Sequence, residues 1–401
     1  MAVDRMKGFT AMIAERIRVA RKDARLTQGQ LSEKLGFKDR QILSNIEGGS
    51  RKVTSEEMVA LMRHLGKDLD FFTDPFRLIN EGVFSWRAIA ETSVLAEFEE
   101  KAKVWIATYR TLGRDLEEPI DPLVHQLGLS ERSSFEDAWA SAEALRRLWD
   151  LGERPAANLP AAIEKKTGTL VLRVDAPAGI SGAACHLADF NAVLINRRES
   201  AGRQVYDLAH ELFHVLTWGT MPPEHRDVEN PTRNKIKRAE SLAENFAGAL
   251  LMPEEPIANL WRSSEGLELH ERIIAAADDF RVTAKAMRSR LKALKLLVVS
   301  DIFQIAEARL AWNGKAPKEQ QLQPLFSRLF VERIVKGLDH GLISMRKAGA
   351  LLGCTLGELH VLIHAHGLES PAELRGLVEP VTVRRTGPTT KVTQTVKLKR
   401  G

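Results

Sequence analysis

Apolar residues near the N-terminus recur at helical spacing. Ile13, Ile17 and Ala20 share one face of a first helix. Thr27 is a good N-cap for a second helix, with Leu31 and Leu35 as core positions and Gly36 as its end. A third runs through Ile42 and Ile46 and closes at Gly48-Gly49, and Ser55 caps a fourth, Glu56–Leu65. Asp74-Pro75 stops the run, which delimits a unit over residues 8–74. Residues 86–149 read as helical throughout, broken at Pro119 and Pro122, with Trp86, Trp105, Trp139 and Trp149 as core aromatics. A helical connector is therefore expected over 83–134. The period then changes. Leu170–Val174 and Ala192–Ile195 are short β-type runs with turn residues between them, and helices return at Gly202. Residues 135–297 form a mixed domain in this reading, and 298–380 a C-terminal helical unit. Within the latter, Ile343–Leu359 has a helix, glycine turn, helix rhythm, either a second helix-turn-helix or a packing pair. The tail over 381–401 alternates Thr, Val, Lys and Arg without an aromatic residue, as a loose hairpin or a disordered segment would. The fold class expected is mainly α with a small β-sheet, α+β.

A chain of 401 residues with 44% hydrophobic content suits two to four domains with full cores. Its 58 basic and 53 acidic residues give only +5, but the charge is not evenly spread. Ile13–Lys52 holds ten Lys/Arg against five Asp/Glu, and Val381–Gly401 holds six with no acid, so the rest of the chain carries −6. Basic ends flanking an acidic middle point to a polyanion partner, most often nucleic acid; the plainer reading is two solvated charge clusters. No apolar run approaches the length of a membrane span, and the opening residues lack the layout of a signal peptide. The two cysteines, Cys185 and Cys354, exclude a disulfide scaffold and fit a reducing, cytoplasmic setting.

The acidic middle contains His210-Glu211-Leu212-Phe213-His214. On a helix His210 and His214 share a face one turn apart, so both imidazoles can reach one Zn²⁺. Glu211 beside them can take the proton of a metal-activated water. Leu208, Ala209, Leu212, Phe213, Val215 and Leu216 mark the helix as buried, where two histidines and a glutamate are costly without a partner. A third ligand is needed. Glu240 and Glu244 lie one turn apart on a later helix stopped at Pro253; one could ligate while the other orients a histidine. A solvated acidic face is the plain alternative. Glu224, His225, Asp227 and Glu229 in a polar loop are weaker candidates, and His360, His364 and His366 read as surface or interface residues. Cys185, in a β-type stretch bordering the cleft, could occupy the open metal position as a latch, or simply pack. Tyr206 could serve an oxyanion or simply pack.

The His-Glu-x-x-His helix followed by Glu240-x-x-Ala243-x-x-Phe246-Ala247-x-x-Leu250-Leu251-Met252-Pro253 resembles the ImmA/IrrE metallopeptidases. The likeness spans roughly residues 140 to 297 and includes Gly202-Arg203 and the segment from Phe280-Arg281-Val282-Thr283 to Leu294. It implies a zincin-like, gluzincin-type endopeptidase domain with His210, His214 and Glu240 as zinc ligands and Glu211 as general base. The family usually has Asn or Asp at the position of Glu244, so the longer side chain leaves Glu244 as a supporting residue or an alternative ligand. The resemblance also implies a protein substrate, a repressor or antitoxin, cleaved in a stress, phage or toxin–antitoxin response.

Leu26–Phe37 followed by Gln41–Gly49 resembles the XRE-type helix-turn-helix family found in phage repressors. Gln28 at a helix start is placed to bond phosphate, and Arg40, Gln41 and Ser44 fall on the groove-facing side of the second helix. Lys38, Arg51 and Lys52 flank it as phosphate contacts. The partner expected is a double-stranded operator bound by a homodimer on paired half-sites. The basic tail could bind single-stranded DNA as an activating signal. The whole reads as a DNA-binding regulator with a zinc endopeptidase domain that cuts a repressor, an antitoxin or itself. The rival is a non-proteolytic repressor or antitoxin whose zinc domain is structural or ligand-sensing.

Overall fold

The computed structural model describes residues 2–118, 126–227, 234–298, 301, 304–315 and 322–377. The expected tail over 381–401 and Glu229 lie outside them. The N-terminal unit comprises α1 (Ala2–Asp23), α2 (Gln28–Lys34), α3 (Arg40–Glu47), α4 (Ser55–Leu65) and α5 (Leu69–Thr73). Thr27 and Gln30, and Thr54 and Glu57, close reciprocal capping boxes at α2 and α4. Ile17, Leu31, Leu43, Ile46, Leu61 and Phe72 form the small core. Leu43 is fully buried where Ile42 was the expected packing residue; Ile42 is only partly buried. With Asp39 capping α3, the helical turn carries positions 43 and 46 inward together.

The rest of the molecule is three layers around a five-stranded sheet. Its strands are β1 (Val83–Ala88), β2 (Leu170–Val174), β3 (Ile180–His186), β4 (Asn191–Asn196) and β5 (Arg226–Asp227), in the order β2-β4-β3-β1-β5. β3 runs antiparallel to both β4 and β1, while β2 is parallel to β4 and β5 to β1. β1 corrects the reading of residues 86–149 as helical throughout, since Trp86 lies on a strand. Its alternation is short and runs straight into the long helix α6 (Thr92–Asp115), whose period dominates the stretch. The pleat sorts the side chains. Val193 and Ile195 of β4 face a lower layer that contains α7 (Phe135–Leu148), α8 (Leu159–Thr167), α9 (Ala201–Thr217), α10 (Asn234–Leu251), α11 (Glu254–Ser263), α12 (Leu269–Phe280) and α13 (Ala284–Ala293). Ala192 and Leu194 face an upper layer.

The upper layer joins α6 to the C-terminal helices. Phe98, Ile106 and Leu112 of α6 share one core with Phe330 and Ile334 of α14 (Arg328–Asp339). Arg333 Nη1 donates to the Tyr109 carbonyl at 3.2 Å, and its guanidinium stacks over that ring. The stretches 83–134 and 298–380, read apart in the sequence, thus meet across more than 200 residues of chain. Among the described residues no single helix is long and apolar enough to cross a membrane.

Candidate metal centre

Ser200 caps α9 by accepting the Arg203 amide, and the helix then buries nearly every turn: His210 is 1% exposed, Glu211 2% and His214 2%. α10 packs alongside and brings Glu240 across. His210 Nε2 lies 3.1 Å from Glu240 Oε2 and 3.1 Å from His214 Nε2, and His214 Nε2 lies 3.4 Å from Glu240 Oε1. Ligands about 2.0–2.1 Å from a tetrahedral zinc stand about 3.3 Å from one another, so these three groups hold the edges of such a site. The donor chemistry agrees. Two imidazole Nε2 atoms facing each other share at most one proton between them, whereas a cation between them satisfies both and the carboxylate as well.

Glu244 stands outside this triangle. Its Oε1 lies 3.5 Å from His210 Nδ1, on the opposite side of the ring from Glu240, and accepts Arg87 Nη2 at 2.7 Å. Arg87 Nη1 also approaches Asp207 Oδ1 at 3.5 Å, and Arg203 Nε reaches Asp207 Oδ2 at 3.4 Å. The carboxylate pair therefore divides by one helical turn: Glu240 meets the ring nitrogens that converge, and Glu244 stands behind the His210 ring.

The charges follow from burial and neighbours. Burial and the Arg87 cation push the His210 pKa down, but the hydrogen-bonding carboxylates of Glu240 and Glu244 outweigh them and hold it at about 10. Burial raises Glu211 to about 7, against the lowering pull of His210, His214 and Arg87. Burial would raise Glu240 and Glu244 as well, yet the facing histidines hold both well below the usual carboxylate range, with Arg87 adding to the effect on Glu244. Burial raises Asp207, opposed by Arg87 and Arg203.

Cys185 does not border this centre. It is buried in the upper core with its thiol beside Gly82, and burial pushes its pKa up. On β3 it is Gly182, of the opposite parity, that lies near Glu211. The latch fails on strand alternation. Tyr206 donates its hydroxyl to the Glu244 carbonyl at 3.0 Å and so braces α10 against α9. His225 pairs with Glu99 at 2.7 Å instead of approaching the cluster. His360 and His366 bond to Ser370 and to the Leu325 carbonyl.

Arg87 and Asp207 are the residues the sequence did not single out. Asp207 carried a faint signal, a carboxylate in the same apolar helix as His210 and nearly three turns of hydrophobic neighbours. Arg87 carried one only if Phe84, Trp86 and Ala88 are recognised as one face of a strand, which leaves Arg87 on the other.

In the N-terminal unit Lys38, Arg40, Gln41 and Lys52 are exposed and Ser44 half-buried around α3. Gln28 Nε2 instead donates to Glu47 Oε2 at 2.9 Å, beside the bidentate Arg21–Glu47 pair, and Arg51 forks onto Glu57 at 2.8 and 3.0 Å.

Two family models match the chain: the helix-turn-helix over residues 17–72 and the IrrE N-terminal-like domain over residues 164–292. No curated protein and no solved structure matches it. The chain is a fusion of an XRE-type helix-turn-helix with an ImmA/IrrE metallopeptidase-type domain, as its motifs implied. Arg87 lies outside both matched segments.

Proposed function

We propose that this protein is a DNA-binding regulator whose second domain is a zinc-dependent endopeptidase acting on a repressor or antitoxin. The observation that carries the reading is the convergence of His210 Nε2, His214 Nε2 and Glu240 on one point, with the buried carboxylate of Glu211 on the same helix. Zinc held there would polarise a scissile carbonyl and lower the pKa of the attacking water. Glu211, held near neutrality by burial, takes that water's proton and returns it to the leaving amine. Arg87 and Glu244 keep the His210 ring turned so that Nε2 faces Glu240 and His214.

Lys38, Arg40, Ser44 and Lys52 are the DNA contacts free to engage; Gln41, Gln28 and Arg51 would first leave Asn45, Glu47 and Glu57. The operator is double-stranded, read by a homodimer in the cytoplasm, and the response is one to stress, phage or a toxin. Cleavage in trans is favoured over self-cleavage. The Asp74–Gly82 linker is not a loose loop: Arg16 donates to the carbonyls of Phe71, Asp74 and Arg77, and Phe76 and Leu78 are buried. Proteins that shorten when the wild type is expressed, but not with Glu211→Gln, identify the substrate; identical profiles would remove the peptidase reading.

One observation favours a second reading, a regulator whose zinc domain is structural or ligand-sensing: the His-Glu-x-x-His side chains are almost wholly enclosed. In that case chelation would change DNA binding or stability while no protein is cut. Activation by single-stranded DNA through residues 381–401 is tested by deleting that tail; unchanged activation rules it out.

A further inference from the structure

A cavity of about 1070 Å³ opens beside the metal centre. Arg87, Asp207 and Glu244 form part of its wall, whereas His210, His214 and Glu240 do not. Its size is that of a pocket for a small organic molecule. The walls carry six cations, Arg87, Arg203, Arg281, Lys285, Arg290 and Lys315, against four carboxylates. All four carboxylates are engaged. Glu244 and Asp207 hold Arg87, Asp207 and Glu199 hold Arg203, and Asp278 holds Lys315 at 2.5 Å.

Arg281, Lys285 and Arg290 have no carboxylate partner among the described residues. Arg290 is the informative one. It is 6% exposed, donates Nε to the Met252 carbonyl at 3.0 Å, lies over the Trp139 ring, and leaves Nη1 without a hydrogen-bond partner. Burial lowers its pKa to about 10, which still leaves a full cation at neutral pH. Glu254 and Glu143 act on it only from beyond ion-pair distance, and a buried guanidinium with no carboxylate bonded to it is costly unless something supplies one.

Two helices also begin on this wall. Ser200 to Gly202 open α9 and Thr283 to Ala286 open α13. The two N-termini touch: a Cβ on Gly202 would lie 2.6 Å from the Val282 carbonyl carbon, so glycine is required for the approach. Both helices present their positive ends to the same space.

We propose that this cavity binds a small organic anion bearing a phosphate or carboxylate group, with Arg290, Arg281 and Lys285 as its charge partners and the Trp139 indole beside it. The site is separate from the metal ligands and does not depend on peptide cleavage. It shares Arg87 and Glu244 with the metal centre, so an occupant would sit one side chain from the group that orients His210.

Calorimetric titration of the full chain, with inorganic phosphate and with succinate as probes, tests this. One equivalent of at least one probe should bind at millimolar concentration. The tighter of the two then tells a phosphate ester from a carboxylate as the ligand class. Arg290→Met should weaken binding about tenfold, the loss of one charge-assisted hydrogen bond. Arg281 has φ 56°, a conformation glycine adopts freely, so Arg281→Gly removes a cation without straining the fold and should weaken binding too. Lys101→Ala, on the exposed surface of α6, should leave it unchanged. Failure of both probes to bind, or equal affinity in wild type, Arg290→Met and Arg281→Gly, overturns the assignment.

Discussion

The helix-turn-helix unit and the metal-centred layers hold their polar groups over different distances of chain. In the first, Thr27 meets Gln30, Thr54 meets Glu57 and Arg51 meets Glu57, all within six residues, while Arg21 meets Glu47 across 26 and Arg16 reaches the Phe71 and Asp74 carbonyls across 55 and 58. In the second, Glu240 meets His210 across 30 residues and Arg87 meets Glu244 across 157. The first unit is assembled by local caps around a small core. The second exists only once a strand from outside the matched domain has joined the sheet. The metal centre should therefore be sensitive to changes far away in sequence, and the helix-turn-helix unit should not notice them.

The largest expected effect separates the two regions by function. Glu211→Gln should cut peptide cleavage by about 10²–10⁴-fold, the usual contribution of a positioned general base, while operator affinity stays that of the wild type. Loss of both together would show that the regions are not independent.

The next effect tests the long brace. Arg87→Met removes the cation that anchors Glu244, and metal affinity should fall about 10–100-fold in a chelator competition, as for other groups that orient a ligand. Glu244→Gln should behave alike, and Glu240→Gln should be worse than either. Equal losses for Glu240→Gln and Glu244→Gln would mean that the two carboxylates do not divide their roles as the distances indicate.

A pH series sharpens the same point. Without metal, Glu240 and Glu244 raise the His210 pKa from its ordinary value to about 10, so the ring is protonated at neutral pH. That proton stabilises the metal-free fold fully below the ordinary histidine pKa and is lost as pH rises through about 10. A cation must displace it. Metal affinity should rise by up to about tenfold per pH unit through this window, with proton release seen as a buffer-dependent binding enthalpy. A flat profile between neutral and alkaline pH would contradict it.

The smallest effect belongs to the helix-turn-helix surface. Lys52→Ala should weaken operator binding across sequences and lower the salt-dependence slope by about 1, without touching metal content.

The same contrast explains what could be read from the chain. The two helices around Leu31 and Ile46, the His210–His214 pair and the Glu240–Glu244 pair are all visible because i,i+4 spacing and capping residues are local facts. Arg87 was not, because its role needs the register of β1 against β3. That register in turn needs Trp86 to be recognised as strand. Cys185 shows a related limit: its place in a β-type stretch left the latch and the packing role both open, and only the pleat, which turns it into the upper core, decides for packing. The shared core of α6 and α14 is invisible in principle to a local reading, since each segment is simply an amphipathic stretch until the other is placed against it.

The most direct test is the metal content of the purified full chain. About one zinc per chain is expected in the wild type and in Glu211→Gln, which keeps all three ligands, and a substoichiometric content in His210→Ala, His214→Ala and Glu240→Ala. Full zinc occupancy in those three variants, or its loss in Glu211→Gln alone, would contradict a metal centre built on His210, His214 and Glu240.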